Sequence, residues 1–276
     1  MKKLLITAAI AATVPMASAK VLINIDGGVG YNINSLGSGS NLANDMFVLD
    51  SKTGATGVSP SYGLNMDANN GFYGWASISL PVLPDVKLKY ESLVIEGKNN
   101  LTIDEVVYGQ TFEMNGDVES KLDLSHLDMA LTFGLPLPVV DIDFGLNIRS
   151  MMGGFSATGQ LAGNEKKVDA PFQIGSTPLI VPMGYLSVGG TIPGVGVKVS
   201  GELATLPLGD TKISDWNIKG TWYAPLPTNM LVKFGLEGGF RSFNMTIGDS
   251  TLGADTSDFA SEVGVNGFFL GATAHF

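Results

Sequence analysis

The chain has 276 residues, no cysteine and a formal net charge of −10. The missing cysteines exclude a disulfide framework, thiol catalysis and cysteine-ligated metals, and the acidic balance argues against nucleic acid as a partner. Charged residues make up 15% of the chain, below the roughly 25% of soluble domains, yet no stretch after residue 19 is long and apolar enough for a membrane-spanning helix.

The N-terminus reads as an export signal. Met1-Lys2-Lys3 is basic, residues 4–14 are apolar, and Ala17-Ser18-Ala19 is a small-x-small cleavage site. The apolar stretch is too short to span a bilayer. Cleavage after Ala19 is expected, leaving a mature chain of residues 20–276.

Alternation with a period of two then dominates, the mark of strands with two unlike faces. In the first strand Val21, Ile23, Ile25, Val29, Tyr31 and Ile33 alternate with a mostly polar face carrying Asp26. A long polar loop near 34–70 follows. The second strand, about 71–80, shares one face among Phe72, Ala76, Ile78 and Leu80, then turns at Pro81-Val82-Leu83-Pro84. The third sets Val86, Leu88 and Tyr90 against Lys87, Lys89 and Glu91. Charges alternating with aliphatics along a whole strand suit a barrel with lipid outside and a polar lumen inside.

A second long loop is expected near 98–120, with parts that extend the strands beyond the membrane. The fourth strand sets Leu127, Met129, Leu131 and Phe133 against His126 and Asp128, and turns at Pro136-Leu137-Pro138. The fifth sets Val140, Ile142, Phe144, Leu146 and Ile148 against Asp141, Asp143 and Arg149. A third loop lies near 156–178. The sixth strand, about 179–192, ends at Pro193-Gly194. The seventh opposes its valines with Lys198 and Glu202, and the eighth opposes Trp216, Ile218 and Trp222 with Asp215 and Lys219. The ninth opposes Phe234, Leu236 and Phe240 with Lys233, Glu237 and Arg241. A last polar loop, near 248–262, leads to a closing strand that ends on Phe276.

Ten strands are predicted, an even number. Connections after the even strands are short and proline-rich, and those after the odd strands are long and polar; the loop after the seventh is the exception. This parity is the pattern of an antiparallel up-and-down transmembrane β-barrel with short periplasmic turns and long extracellular loops. Each strand has about the 9–11 residues a tilted transmembrane strand needs.

Several pieces resemble a family of uncharacterised Gram-negative outer-membrane β-barrel proteins with a Gly-Gly pair in a late strand. They are Leu80-Pro81-Val82-Leu83-Pro84 with Val86-Lys87-Leu88-Lys89-Tyr90; Asp123-Leu124-Ser125-His126-Leu127-Asp128; Pro182-Met183-Gly184-Tyr185; Gly235-Leu236-Glu237-Gly238-Gly239-Phe240-Arg241-Ser242-Phe243; and Gly271-Ala272-Thr273-Ala274-His275-Phe276. The resemblance implies the β-barrel fold and location in the cell outer membrane, in contact with its lipid and lipopolysaccharide; the aromatic end of the closing strand makes Phe276 the residue expected to be read by the barrel assembly machinery. The resemblance implies no substrate and no cofactor.

With apolar faces outward, the charges that alternate along the strands line the lumen. Both signs occur, so a salt-bridged, largely filled interior is the first expectation, since buried charges must be paired. A narrow path for a small solute or ion is the second, because only wider barrels of 16–18 strands hold large aqueous channels. A barrel hydrolase of lipid or peptide using His126 and Asp128 is the third; Ser125 points to the opposite face from His126 and cannot complete a relay. His275 is expected at the interface. Trp75, Trp216, Trp222, Tyr31, Tyr73 and Tyr223 are candidates for aromatic girdles or for the lumen. Gly27-Gly28-Val29-Gly30 has the glycine content of a nucleotide loop without its strand-loop-helix context. The aspartates near 249–262 lack calcium-loop spacing.

Overall fold

A computed structural model describes residues 23–51, 62–80, 83–107, 110–137, 140–174, 176–192, 194–251, 254–255 and 260–276. The expected signal segment with Ala17 and Ala19, and Pro81, Val82, Pro138 and Pro193 of the turns, lie outside the described residues.

Ten long strands form the barrel: β1 (Asn24–Leu36), β2 (Gly71–Ser79), β3 (Asp85–Glu91), β4 (His126–Pro136), β5 (Val140–Met151), β6 (Ile180–Ile192), β7 (Val197–Leu208), β8 (Thr211–Tyr223), β9 (Lys233–Ile247) and β10 (Ser261–His275). Each pairs antiparallel with its neighbour in sequence. The sheet closes because β1 pairs with β10, from Asp26 opposite His275 to Leu36 opposite Val265. Closure leaves the barrel without an unpaired edge. The only helical segment among the described residues is a 3-10 turn, Pro227–Met230.

The predicted alternation sets the faces. Val29, Ile33, Leu131, Phe144, Ile218, Leu236, Phe268 and Leu270 are exposed on the outside, while their sequence neighbours turn inward. In β4 the outward apolar positions run from Leu127 to Leu135, nine residues. At about 3.4 Å per residue and a tilt of ~40° that is roughly 23 Å of height.

The long connections leave from one end, and the second extends its strands beyond the barrel, as expected of parts of it. The second is a continuous hairpin, Val94–Val107 with Gln110–Asp123. The third contains a hairpin, Gly154–Leu161 with Asn164–Pro171. These four strands and Met66–Ala68 make a separate five-stranded sheet. Its outer face carries exposed ion pairs, such as Lys98 with Asp117 and Glu119 and Lys121 with Glu96. Hydrogen bonds from Asn100 and then Lys98 hold the Asp117 carboxyl below its usual range. Its inner face is apolar.

The first connection overturns the expectation. The glycine- and serine-rich composition of 34–70 suggested a solvated loop, but Leu42, Phe47, Leu49, Tyr62, Leu64 and Met66 are all buried. They join Ile95, Ile103, Met114, Leu122 and Phe155 of the second sheet and Val181, Met183, Phe243, Met245 and Val265 of the barrel wall in one apolar core. Phe47 lies 6.0 Å from Tyr62 and 5.9 Å from Phe155, ring centroid to centroid. Burial pushes the Tyr62 phenol above its usual range, with Glu105 adding to it. The main apolar core among the described residues therefore lies at the long-loop mouth.

Candidate functional site

Below that core the inward faces meet in a charged layer. Cross-strand register puts Glu91 beside His126, Lys89 beside Asp128, Asp128 beside Arg149, Asp215 beside Phe243 and Asn217 beside Arg241. Arg149 is the centre. Its Nε and Nη2 donate to the two Asp128 oxygens at 2.7 Å each, and Nη2 also donates to Asp215 Oδ2 at 2.5 Å. Arg241 donates to Asp215 through Nε at 2.9 Å and Nη2 at 2.7 Å, and its Nη1 reaches Glu91 Oε1 at 2.5 Å. Asn32 donates to the same Glu91 oxygen at 2.7 Å. Lys89 Nζ lies 2.8 Å from Glu91 Oε2, an ion contact without hydrogen-bond alignment. Phe243 caps the layer toward the apolar core, 5.7 Å from the Arg149 guanidinium and stacked on His126 at 6.2 Å.

A second tier lies toward the short-turn end. Lys87 donates to Glu202 at 2.5 Å, and Lys219 donates to Glu237 Oε2 at 3.2 Å. Tyr73 and Trp75 donate to Glu237 Oε1 at 2.8 and 3.0 Å. The Lys219 ammonium sits 4.6 Å over the Trp75 ring, a cation–π contact. At the rim Lys198 pairs with Asp141 at 2.9 Å, and His275 contacts Asp26 at 2.5 Å across the closing seam. Asp143 and Lys233 share the inward register, opposite Ser187 and His275.

Every charged residue expected in the lumen is thus on the inward face. The expectation for the aromatics resolves by residue. Tyr31 and Trp222 are exposed outside, whereas Tyr73 and Trp75 are lumenal. Glycines make this fit. A Cβ at Gly30 would lie 2.5 Å from the Tyr73 ring, and one at Gly239 would lie 2.8 Å from Phe269. Gly28 and Gly30 of the first-strand cluster and Gly239 of the late pair therefore leave room for lumenal rings, with Tyr73 and Phe269 edge-to-face at 5.6 Å. Sequence reasoning missed this role, although glycine on the inward parity of a strand next to an aromatic was the available signal.

The geometry bears on catalysis and metal binding. His126 is fully buried, and its Nδ1 donates to the Leu124 carbonyl at 2.8 Å. Both Asp128 oxygens are occupied by Arg149. His126, Asp128 and Asp215 have ligand-type atoms within 4.8 Å of one another, but a cation there would face Arg149 and Arg241. Among the cavities of the lumen are two adjoining ones of about 20 Å³ each. One is lined by Tyr73, Trp75, Lys219 and Glu237, the other by Asp128, Asn147, Arg149 and Asp215. Each has room for about one water.

No protein-family model matches the chain, and no curated protein matches it. Among solved structures, the crystal structure of a Pseudomonas aeruginosa FadL homologue matches at 7% identity, covering 92% of this chain and 90% of that chain, with a TM-score of 0.28. The barrel described here rests on the strand pairing of this chain itself.

Proposed function

We propose that this chain is an integral outer-membrane β-barrel protein of a Gram-negative bacterium whose lumen is closed, and whose long-loop end presents a folded β-sheet to the environment. The observation that carries this is the pairing of opposites in one wall. The outside is an apolar belt of roughly membrane thickness, and the inside is a neutralised ion network under an apolar seal. Five cations (Lys87, Lys89, Arg149, Lys219, Arg241) stand against five carboxylates (Glu91, Asp128, Glu202, Asp215, Glu237). A solute path would need to cross both layers. The partners are outer-membrane lipid and lipopolysaccharide around the belt and the assembly machinery at the C-terminal strand. The family resemblance supports the same location.

The test is fractionation followed by planar-bilayer recording. The protein is expected in the outer-membrane fraction, with faster gel migration unheated than boiled and no single-channel steps. A soluble periplasmic protein would overturn the membrane assignment. Reproducible conductance from the heat-modifiable form would restore the solute-path reading.

A further inference from the structure

The short-turn end has a property the lumen does not explain. Residues 80–84, 137–139, 193–196 and 224–232 contain no Asp, Glu, Lys or Arg. They present aliphatic side chains outward instead: Leu83 is 65% exposed, Leu137 49%, Val195 59%, Leu226 44% and Leu231 83%. A turn in water ordinarily favours Gly, Pro, Asn, Asp and Ser, so the exposed aliphatics, not the prolines, are what is unusual here. Isolated exposed aliphatics are common, but a ring of them continuous with an apolar belt is an interaction surface.

The two ends of the belt are unlike. At the long-loop end the outward positions change to polar residues, with Ser35 opposite Asn266 and Thr205 opposite Ser214. At the short-turn end the described outward strand positions show no such change, and Thr228 is the one exposed polar side chain among the described turn residues. The belt runs through Val140, Ile192 and Phe234 straight into the turns. Charges at this end, such as Asp26, Asp141, Lys198 and Lys233, lie on the inward register. Seven of the 13 prolines lie in or beside these turns, at 81, 84, 136, 138, 193, 225 and 227. Proline has no backbone N–H, so each removes a donor that would need a partner away from water.

We infer that the short turns are submerged in the periplasmic leaflet, with Leu83, Leu137, Val195, Leu226 and Leu231 packed among phospholipid rather than standing in water. The occupant is lipid because the surface continues the lipid-facing belt without a polar break. This rests on the barrel being a membrane barrel. The chain then ends flush with, or below, the headgroups on one side and projects its second sheet on the other.

The absence of native cysteines allows a direct measurement. Leu83→Cys, Leu137→Cys and Leu231→Cys would each be placed in nanodiscs of phosphatidylethanolamine and phosphatidylglycerol, which expose both faces. Leu270→Cys on the belt and Asn100→Cys on the second sheet are the controls. A membrane-impermeant maleimide is expected to label the turn cysteines at least about tenfold more slowly than Asn100→Cys, as burial of an apolar position implies. Turn cysteines as reactive as Asn100→Cys, with Leu270→Cys protected, would overturn the inference and leave the membrane barrel standing. A reactive Leu270→Cys would instead overturn the membrane assignment. Hydroxyl-radical footprinting of the unsubstituted protein in the same discs reads Leu83 and Leu231 without any substitution, and strong oxidation of both would likewise overturn the inference.

Discussion

Arg149→Met is the perturbation that most directly tests the closed lumen. Arg149 is 1% exposed, supplies both bonds to Asp128 and shares Asp215 with Arg241. Methionine has similar length and no charge. Asp215 would retain Arg241, but Asp128 would lose the only cation that pairs with it among the described residues. Removing one partner of a buried pair leaves an uncompensated charge and costs about 3–5 kcal/mol. Removing both can be nearly neutral when apolar groups fill the volume, so Arg149→Met with Asp128→Leu should cost less than Arg149→Met alone. The assay is urea unfolding in lipid vesicles, followed by tryptophan fluorescence and extrapolated linearly to zero denaturant. Trp75 lies in the affected lumen and Trp222 outside it. A loss of under about 1 kcal/mol for Arg149→Met, the range of an exposed ion pair, would refute the buried network. A double variant costing the full sum of its singles would refute the coupling.

Two other outcomes are expected. Phe47→Ala should remove the ring between Tyr62 and Phe155 and cost about 3–5 kcal/mol in the mouth core. It should appear as faster proteolysis within residues 37–66 while the heat-modifiable barrel band persists, and an unchanged cleavage rate would mean that this segment does not seal the mouth. Deleting Phe276 removes a residue whose N–H donates to the Ile25 carbonyl at 2.9 Å and whose carbonyl accepts from Ile25 at 3.4 Å. It should lower the outer-membrane yield of assembled barrel and leave the lumen network intact; wild-type yield would argue against an assembly role.

The barrel wall was legible because a strand in a two-sided environment writes that environment into a period of two. Lys87, Lys89 and Glu91 against Val86, Leu88 and Tyr90 need no tertiary knowledge to be assigned to opposite faces. Loop parity and the even strand count follow from the same local signals. Tyr73 and Trp75 were harder. Their inward parity agreed with Lys87 and Lys89, yet aromatic residues are acceptable on either side of such a wall. The glycines beside them on β1, Gly28 and Gly30, decide that the rings fit inside.

The ten strands, the inward side of the charged residues, and the end that carries the long connections can all be read without a structure. These are properties of alternation, proline and glycine placement, all local in the chain. The tertiary structure is what folds residues 41–51 and 62–66 into the mouth, because a few scattered apolar residues in a polar segment become a core only when the second sheet and the upper wall are present to receive them. It alone decided which carboxylate meets which cation. Arg149 joins Asp128, 21 residues away, to Asp215, 66 residues away, and such partnerships depend on the registers of strands brought together by closing the barrel. Register is a cooperative property of the whole sheet, so no single strand carries it.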